Sequence, residues 1–161
     1  MAYTTINKST DYFNTKLYAG NGSTQTISGV GFQPDMTWGK ARTTTTNHVI
    51  QSTAQGLSTA IFPNLTNAES TGLSNAITAF NADGFALGDW SPLNASGQNF
   101  VSWNWKAGTT SGIATNGATV TTPSSYSFNQ TSRCSILKYT GTGNTNNKLA
   151  HGLGAKPDFI M

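Results

Sequence analysis

One stretch of this chain occurs twice, and that repetition constrains the fold more than any other feature. Residues 18–38 read YAGNGSTQTISGVGFQPDMTW, and residues 139–161 read YTGTGNTNNKLAHGLGAKPDFIM. Tyr18, Gly20 and Gly22 match Tyr139, Gly141 and Gly143 at an offset of 121 (139 − 18). Gly29, Gly31, Pro34 and Asp35 match Gly152, Gly154, Pro157 and Asp158 at an offset of 123 (152 − 29). The two-residue slip lies in a polar segment, as expected for a loop-length change between copies. Each copy predicts a strand, a glycine turn, a short strand, a G-x-G bend and then Pro-Asp leading into an apolar strand. Glycine supplies the positive φ that such turns need, and Pro-Asp sets a turn where a missing N–H does no harm. Gly20, Gly22, Gly29, Gly31, Pro34 and Asp35 are therefore structural turn residues. The chain reads as one complete unit and the opening of a second, with the second copy breaking off mid-repeat at Met161.

Between the copies, strand candidates recur at short intervals: residues 12–18, 24–28, 36–41, 48–52, 59–62, 76–80, 85–87 and 100–106. Asp83-Gly84 between Phe80 and Phe85 is a hairpin signal. Residues 67–74 (NAESTGLS) have the only helical flavour, enough for one or two turns. Many short strands with frequent turn residues predict an all-β fold, a jelly-roll-like β-sandwich with the start of a second repeat. In 99–106, NFVSWNWK, side chains alternate across the strand, which predicts Val101, Trp103 and Trp105 on the core face. Residues 109–133 open with a stretch poor in apolar side chains and read as a polar linker. The domain reading is a sandwich unit over 1–108, the linker over 109–133, and opening strands of the second repeat over 134–161. Strand character returns at 126–128 and 135–139.

Only 9% of residues are charged, so the surface must be mostly Thr, Ser, Asn and Gly. Aromatics at 11% and 17 glycines argue for a folded chain rather than a disordered one. Nine basic residues against six acidic ones are scattered without a run, which gives no sign of a nucleic-acid partner. No apolar run has the length of a membrane span, so membrane insertion is not expected.

Titratable chemistry is sparse. His48 and His151 do not repeat between the copies and read as structural. Asp35 and Asp158 repeat, but each follows proline in a turn, where a carboxylate accepts backbone N–H bonds. Asn81, Asp83 and Asp89 flank the loop NADGFALGD, which lacks the dense carboxylates of a strong calcium site. Cys134, the single cysteine, lies in an apolar context and reads as a buried small residue rather than a nucleophile. No zinc spacing, phosphate loop or paired glycosidase carboxylates occur. Catalytic, metal and cofactor sites are all expected to be absent. Of the tryptophans, Trp90 and Trp38 are the candidate contacts for a ligand or partner. Trp90 sits in the loop GDWSPLNASGQN, either exposed or plugging the sandwich end.

Five stretches carry a further resemblance: DYFN (11–14), LYAGNG (17–22), GVGFQPD (29–35), FNADGFALG (80–88) and VSWNWKAG (101–108). Together they resemble a repeat domain of tailed phages, frequent in marine and cyanobacterial phages and often labelled tail fibre or virion structural protein. The likeness covers nearly the whole chain. Two departures are Gly39, where that pattern has an apolar residue, and the missing basic strand after the second Pro-Asp. The resemblance implies a virion structural protein on the particle surface, the N-terminal part of a tail fibre or similar appendage. It would attach to the particle and support host-recognition parts. Other virion proteins and a homo-oligomer, with a trimer favoured, are the partners so implied. A lectin-like module binding host surface glycan and a capsid decoration protein are the alternatives. An enzyme is not expected.

Overall fold

The computed structural model describes residues 6–115 and 120–161, so most of the N-terminal lead and part of the expected linker lie outside the described residues. The first unit forms seven strands: β1 (Phe13–Ala19), β2 (Gln25–Ser28), β3 (Met36–Ala41), β4 (Val49–Ser52), β5 (Ile77–Asn81), β6 (Gly84–Leu87) and β7 (Asn99–Trp105). A single helical turn, α1 (Ser91–Asn94), precedes β7. The second unit contributes β8 (Val120–Thr121), β9 (Ser125–Asn129), β10 (Cys134–Lys138) and β11 (Lys148–Leu149).

The chain is nearly all β. Four strands in the order β1-β7-β3-β4 make one antiparallel sheet, and three in the order β2-β6-β5 make the other. The two pack as a sandwich around Ile27, Val49, Ile77, Phe85, Leu87 and Leu93, all fully or almost fully buried. Tyr18 of β1 stacks on Phe100 of β7 and meets Phe85 of the opposite sheet edge-on. The helical turn is at Ser91–Asn94 and not at 67–74. Proline at the start pre-sets its φ, and the Trp90 carbonyl accepts the Leu93 and Asn94 N–H groups. Segment 59–62 forms no full strand: Ile61 bridges Ile50, and Ala60 bridges Ser70.

Polar side chains complete this interior. Asn94 is fully buried; its Nδ2 donates to the carbonyls of Ser23 (2.5 Å) and Gly88 (2.7 Å), and its Oδ1 accepts the Asn21 N–H (3.0 Å). Gln51 accepts the Ile77 N–H and donates to the Leu57 carbonyl, which ties the two sheets. At the G-x-G bend, Gly29 and Gly31 take φ of 78° and 90° and donate their N–H groups to the Asp83 carboxylate. Those two bonds, Gly31's first, hold the Asp83 carboxyl below the usual carboxylate range, with Lys16 adding to the effect.

The two copies of the repeat agree in glycine conformation and strand starts up to their Pro-Asp pairs. Gly22, Gly29 and Gly31 have positive φ, and so do Gly143, Gly152 and Gly154. β10 begins where β1 does under the first offset, and β11 where β2 does under the second. The parallel ends there, because residues 159–161 form no strand matching β3.

The described residues of 109–133 are not a free linker. β8 and β9 lie within them, and Thr109 pairs with Phe128 through two backbone bonds. The reason is Asp35, which is buried at 8% exposure. Its carboxylate accepts the Ala107 N–H (2.8 Å), the Ser127 hydroxyl (2.9 Å) and the Thr53 hydroxyl (3.2 Å). Ser127 belongs to β9, so the carboxylate joins the sandwich to the second unit. Removing it leaves buried donors unmatched. Asp35→Ala is expected to cost about 2–4 kcal/mol and to speed hydrogen exchange in β9 and β10 more than in β5 and β6. Equal effects on both pairs would mean that the carboxylate does not couple the units.

Candidate functional site: the outer face of the four-stranded sheet

Cross-strand register fixes which residues share each face, because directly paired residues point the same way. Phe13, Trp105 and Met36 form one row; Thr15, Trp103, Trp38 and Ile50 the next; Leu17, Val101 and Lys40 the third. The alternate rows hold Asn14, Asn104 and Thr37, then Lys16, Ser102 and Gly39, then Tyr18, Phe100 and Ala41. Core contacts come from the alternate rows. The interior face of β7 is therefore Phe100, Ser102 and Asn104, each fully buried.

This reverses the expectation for β7. Val101 is buried, but Trp103 and Trp105 are only half-buried and stand on the outer face. Ser102 and Asn104 tolerate the interior because they satisfy one another. Asn104 accepts from the Thr37 hydroxyl (2.9 Å) and donates to the Ser102 hydroxyl (3.1 Å) and the Asn14 carbonyl (3.1 Å).

The outer face is thus a tilted aromatic surface. Trp38 meets Trp103 edge-on at 6.0 Å and 69°, and Phe13 meets Trp105 at 5.0 Å and 52°. Leu17 is 60% exposed and Phe13 38%, so apolar area faces solvent at the β1 edge. His48 closes the opposite side: its Nδ1 accepts the Trp38 indole N–H at 2.9 Å, with the rings edge-on. That bond requires neutral imidazole with its proton on Nε2. Desolvation, then the nearby Lys40 ammonium, lower the His48 pKa. Lys40 itself donates to the Ala41 carbonyl.

The other candidates lie elsewhere. Trp90 is half-buried, packs on the core cluster and meets Phe62 at 6.3 Å, beside the sandwich interior rather than on the aromatic face. Asp83 and Asp89 sit at opposite ends of β6, Asp83 on the glycine bend and Asp89 accepting from Asn75. Burial, then the Asp35 charge, push the Cys134 thiol up to about 11. Burial likewise raises the Tyr18 phenol, whose hydroxyl donates to the Leu93 carbonyl. Among the described residues, no three His, Cys, Asp or Glu side chains gather as metal ligands, and no helix is long and apolar enough to cross a membrane. Sequence reasoning weighed Trp38 as a contact and assigned Trp103 and Trp105 to the core; Phe13 and Leu17 it passed over, although their period-2 spacing in β1 was visible.

Residues 8–161 match a family described as a domain of unknown function, DUF7483. The chain belongs to that family. The span matched to DUF7483 takes in both the sandwich and the strands of the second unit that Asp35 engages. No curated protein and no solved structure matches this member of DUF7483.

The two faces of β7 should respond differently to truncation. Phe100→Ala is expected to cost about 3–5 kcal/mol, as for emptying a core site. Trp103→Ala should cost about 1–2 kcal/mol, since only part of its surface is buried. Urea unfolding of both variants checks this, and equal losses would contradict the face assignment. For His48, a folded pKa below the ordinary 6.5 favours the neutral ring in the native state. Its contribution is then complete above about pH 6.5 and is lost as pH falls through the folded value. Thermal melts from pH 7.5 to 4.5 should show His48→Gln less sensitive to acid than wild type; parallel curves would contradict the Trp38–His48 bond.

Proposed function

We propose that this domain is a structural module of a tailed-phage particle, part of a tail fibre or similar surface appendage, and that it assembles through the aromatic face of its four-stranded sheet. The supporting observation is that face: Phe13, Leu17, Trp38, Trp103 and Trp105 on one side of a sheet whose other side already holds the core. Rings set at 52° and 69° to one another form ridges and gaps that suit interdigitation with a protein surface. With Lys40 the only full charge in the three face rows, little electrostatic repulsion opposes a second copy. The setting in a virion comes from the sequence resemblance, as do the homo-oligomer with a trimer favoured and the contact with other virion proteins. Capsid decoration differs from this reading only in the place on the particle.

Lectin-like binding of host glycan is the second reading, favoured by the half-exposed tryptophans, since indole rings stack on sugars. Coplanar rings would serve a sugar better than the tilted pairs present. Sedimentation velocity of the 161-residue chain separates the two. Wild type is expected to self-associate, and Leu17→Glu, a change at an exposed position, should weaken association by about tenfold or more without lowering Tm. A monomeric wild type that binds oligosaccharide, with loss of binding in Trp103→Ala, would replace assembly with glycan recognition.

A further inference from the structure

The first copy of the repeat holds α1 in its glycine loop. Gly22 N–H donates to the Asn94 carbonyl (2.8 Å), Asn21 N–H to its Oδ1 (3.0 Å), and the Ser23 carbonyl accepts its Nδ2. The Gln25 amide reaches the same Oδ1, and the Tyr18 hydroxyl donates to the Leu93 carbonyl (2.9 Å). Gly20 completes the seat: its φ is not positive, but a side chain there would run into the Ala95 carbonyl. The seat is built largely of main chain, so it recognises a Leu-Asn turn through groups that many sequences could supply.

The second copy places a solvent-open hollow of about 240 Å³ on the matching residues. Tyr139, Gly141, Thr142, Gly143, Asn144 and Lys148 line it, and they correspond in order to Tyr18, Gly20, Asn21, Gly22, Ser23 and Gln25. Gly143 repeats the positive φ of Gly22, at 74° against 68°. Thr142 Oγ1 accepts the Asn144 N–H and the Asn147 amide, which fixes the loop. Tyr139 is 57% exposed. Gly141 supplies an independent observation. It has no positive φ, and a Cβ built on it meets nothing within 4 Å, so the fold of the described residues gives no reason for glycine there. Close approach by a partner gives one.

We infer that the hollow at Tyr139–Gly143 is a binding site for a tight polypeptide turn that presents a Leu-Asn pair as α1 does. The asparagine carboxamide enters between the Thr142 N–H and the Asn144 carbonyl, while the Tyr139 hydroxyl donates to the carbonyl of the preceding leucine. The hollow shares no residue with the aromatic face, so failure of either leaves the other standing.

The test is an NMR titration of the 161-residue chain with a cyclised peptide containing Trp-Ser-Pro-Leu-Asn-Ala. Shifts at Tyr139, Gly141, Thr142, Gly143 and Asn144 are expected. They should vanish for the peptide with alanine in place of asparagine. Tyr139→Phe should weaken binding by about tenfold, the scale of one hydrogen bond. Gly141→Ala should abolish binding without changing Tm, whereas Gly20→Ala should lower Tm. No shifts at millimolar peptide, or binding unaffected by Gly141→Ala, would overturn the site. So would N-acetylglucosamine producing these shifts while the peptide does not, since the hollow would then be a sugar site.

Discussion

The Asp35 carboxylate is the point on which the two parts of this protein meet. A buried carboxylate is costly unless donors surround it, and among the described residues no cation pairs with this one. Three donors serve instead: the Ala107 N–H just past β7, a hydroxyl from the loop after β4, and a hydroxyl from β9. Its own N–H donates to the Trp105 carbonyl, and its carbonyl accepts the Thr53 N–H. Losing any one strand would leave the others with unmatched polar groups. At this point the sandwich and the hairpin are bound by hydrogen bonding rather than by an ion pair. The described residues contain two ion pairs: Lys8–Asp11, solvent-exposed and contributing little, and Lys138–Glu69, part-buried and reaching from β10 to the first unit.

The same logic explains why an interior can hold Asn94, Gln51 and Asn104. Each amide both donates and accepts, so one side chain closes several main-chain gaps. The opposite face carries the tryptophans of the sheet. There Trp38, Trp103, Trp105 and Phe13 shield one another by edge contacts without being enclosed. The indole rings of this sheet stand outside an interior of amides, Phe100 and Tyr18, which gives its outer face an apolar surface with a rigid backing. Rigid backing suits association, because the rings lose little freedom when a partner arrives.

The turns and strands were legible because their causes are local. A glycine needed for positive φ marks its place in the sequence, and six of the matched glycines in the two copies take that conformation. The face of β7 was not legible. Val-x-Trp-x-Trp looks like a core stripe, and what reverses it is the partnering of Asn104 with Thr37 and Asn14, residues far away in sequence. The one-turn helix was missed for a similar reason: Ser-Pro-Leu-Asn has no period to detect, and its position is set by the loop that grips Asn94. Asp35 was read as accepting backbone N–H bonds in a turn, which holds for Ala107. Its contact with Ser127, and hence the docking of β9, depended on tertiary placement.

Membership of DUF7483 assigns no activity, and the proposed assembly requires the aromatic face to be a contact surface. Hydroxyl-radical footprinting tests this most directly, comparing the chain at high dilution with the chain at high concentration. Protection of Phe13, Leu17, Trp103 and Trp105 at high concentration, with Tyr12 and Phe62 unchanged, is the predicted result. Equal reactivity of the four residues in both states would contradict it.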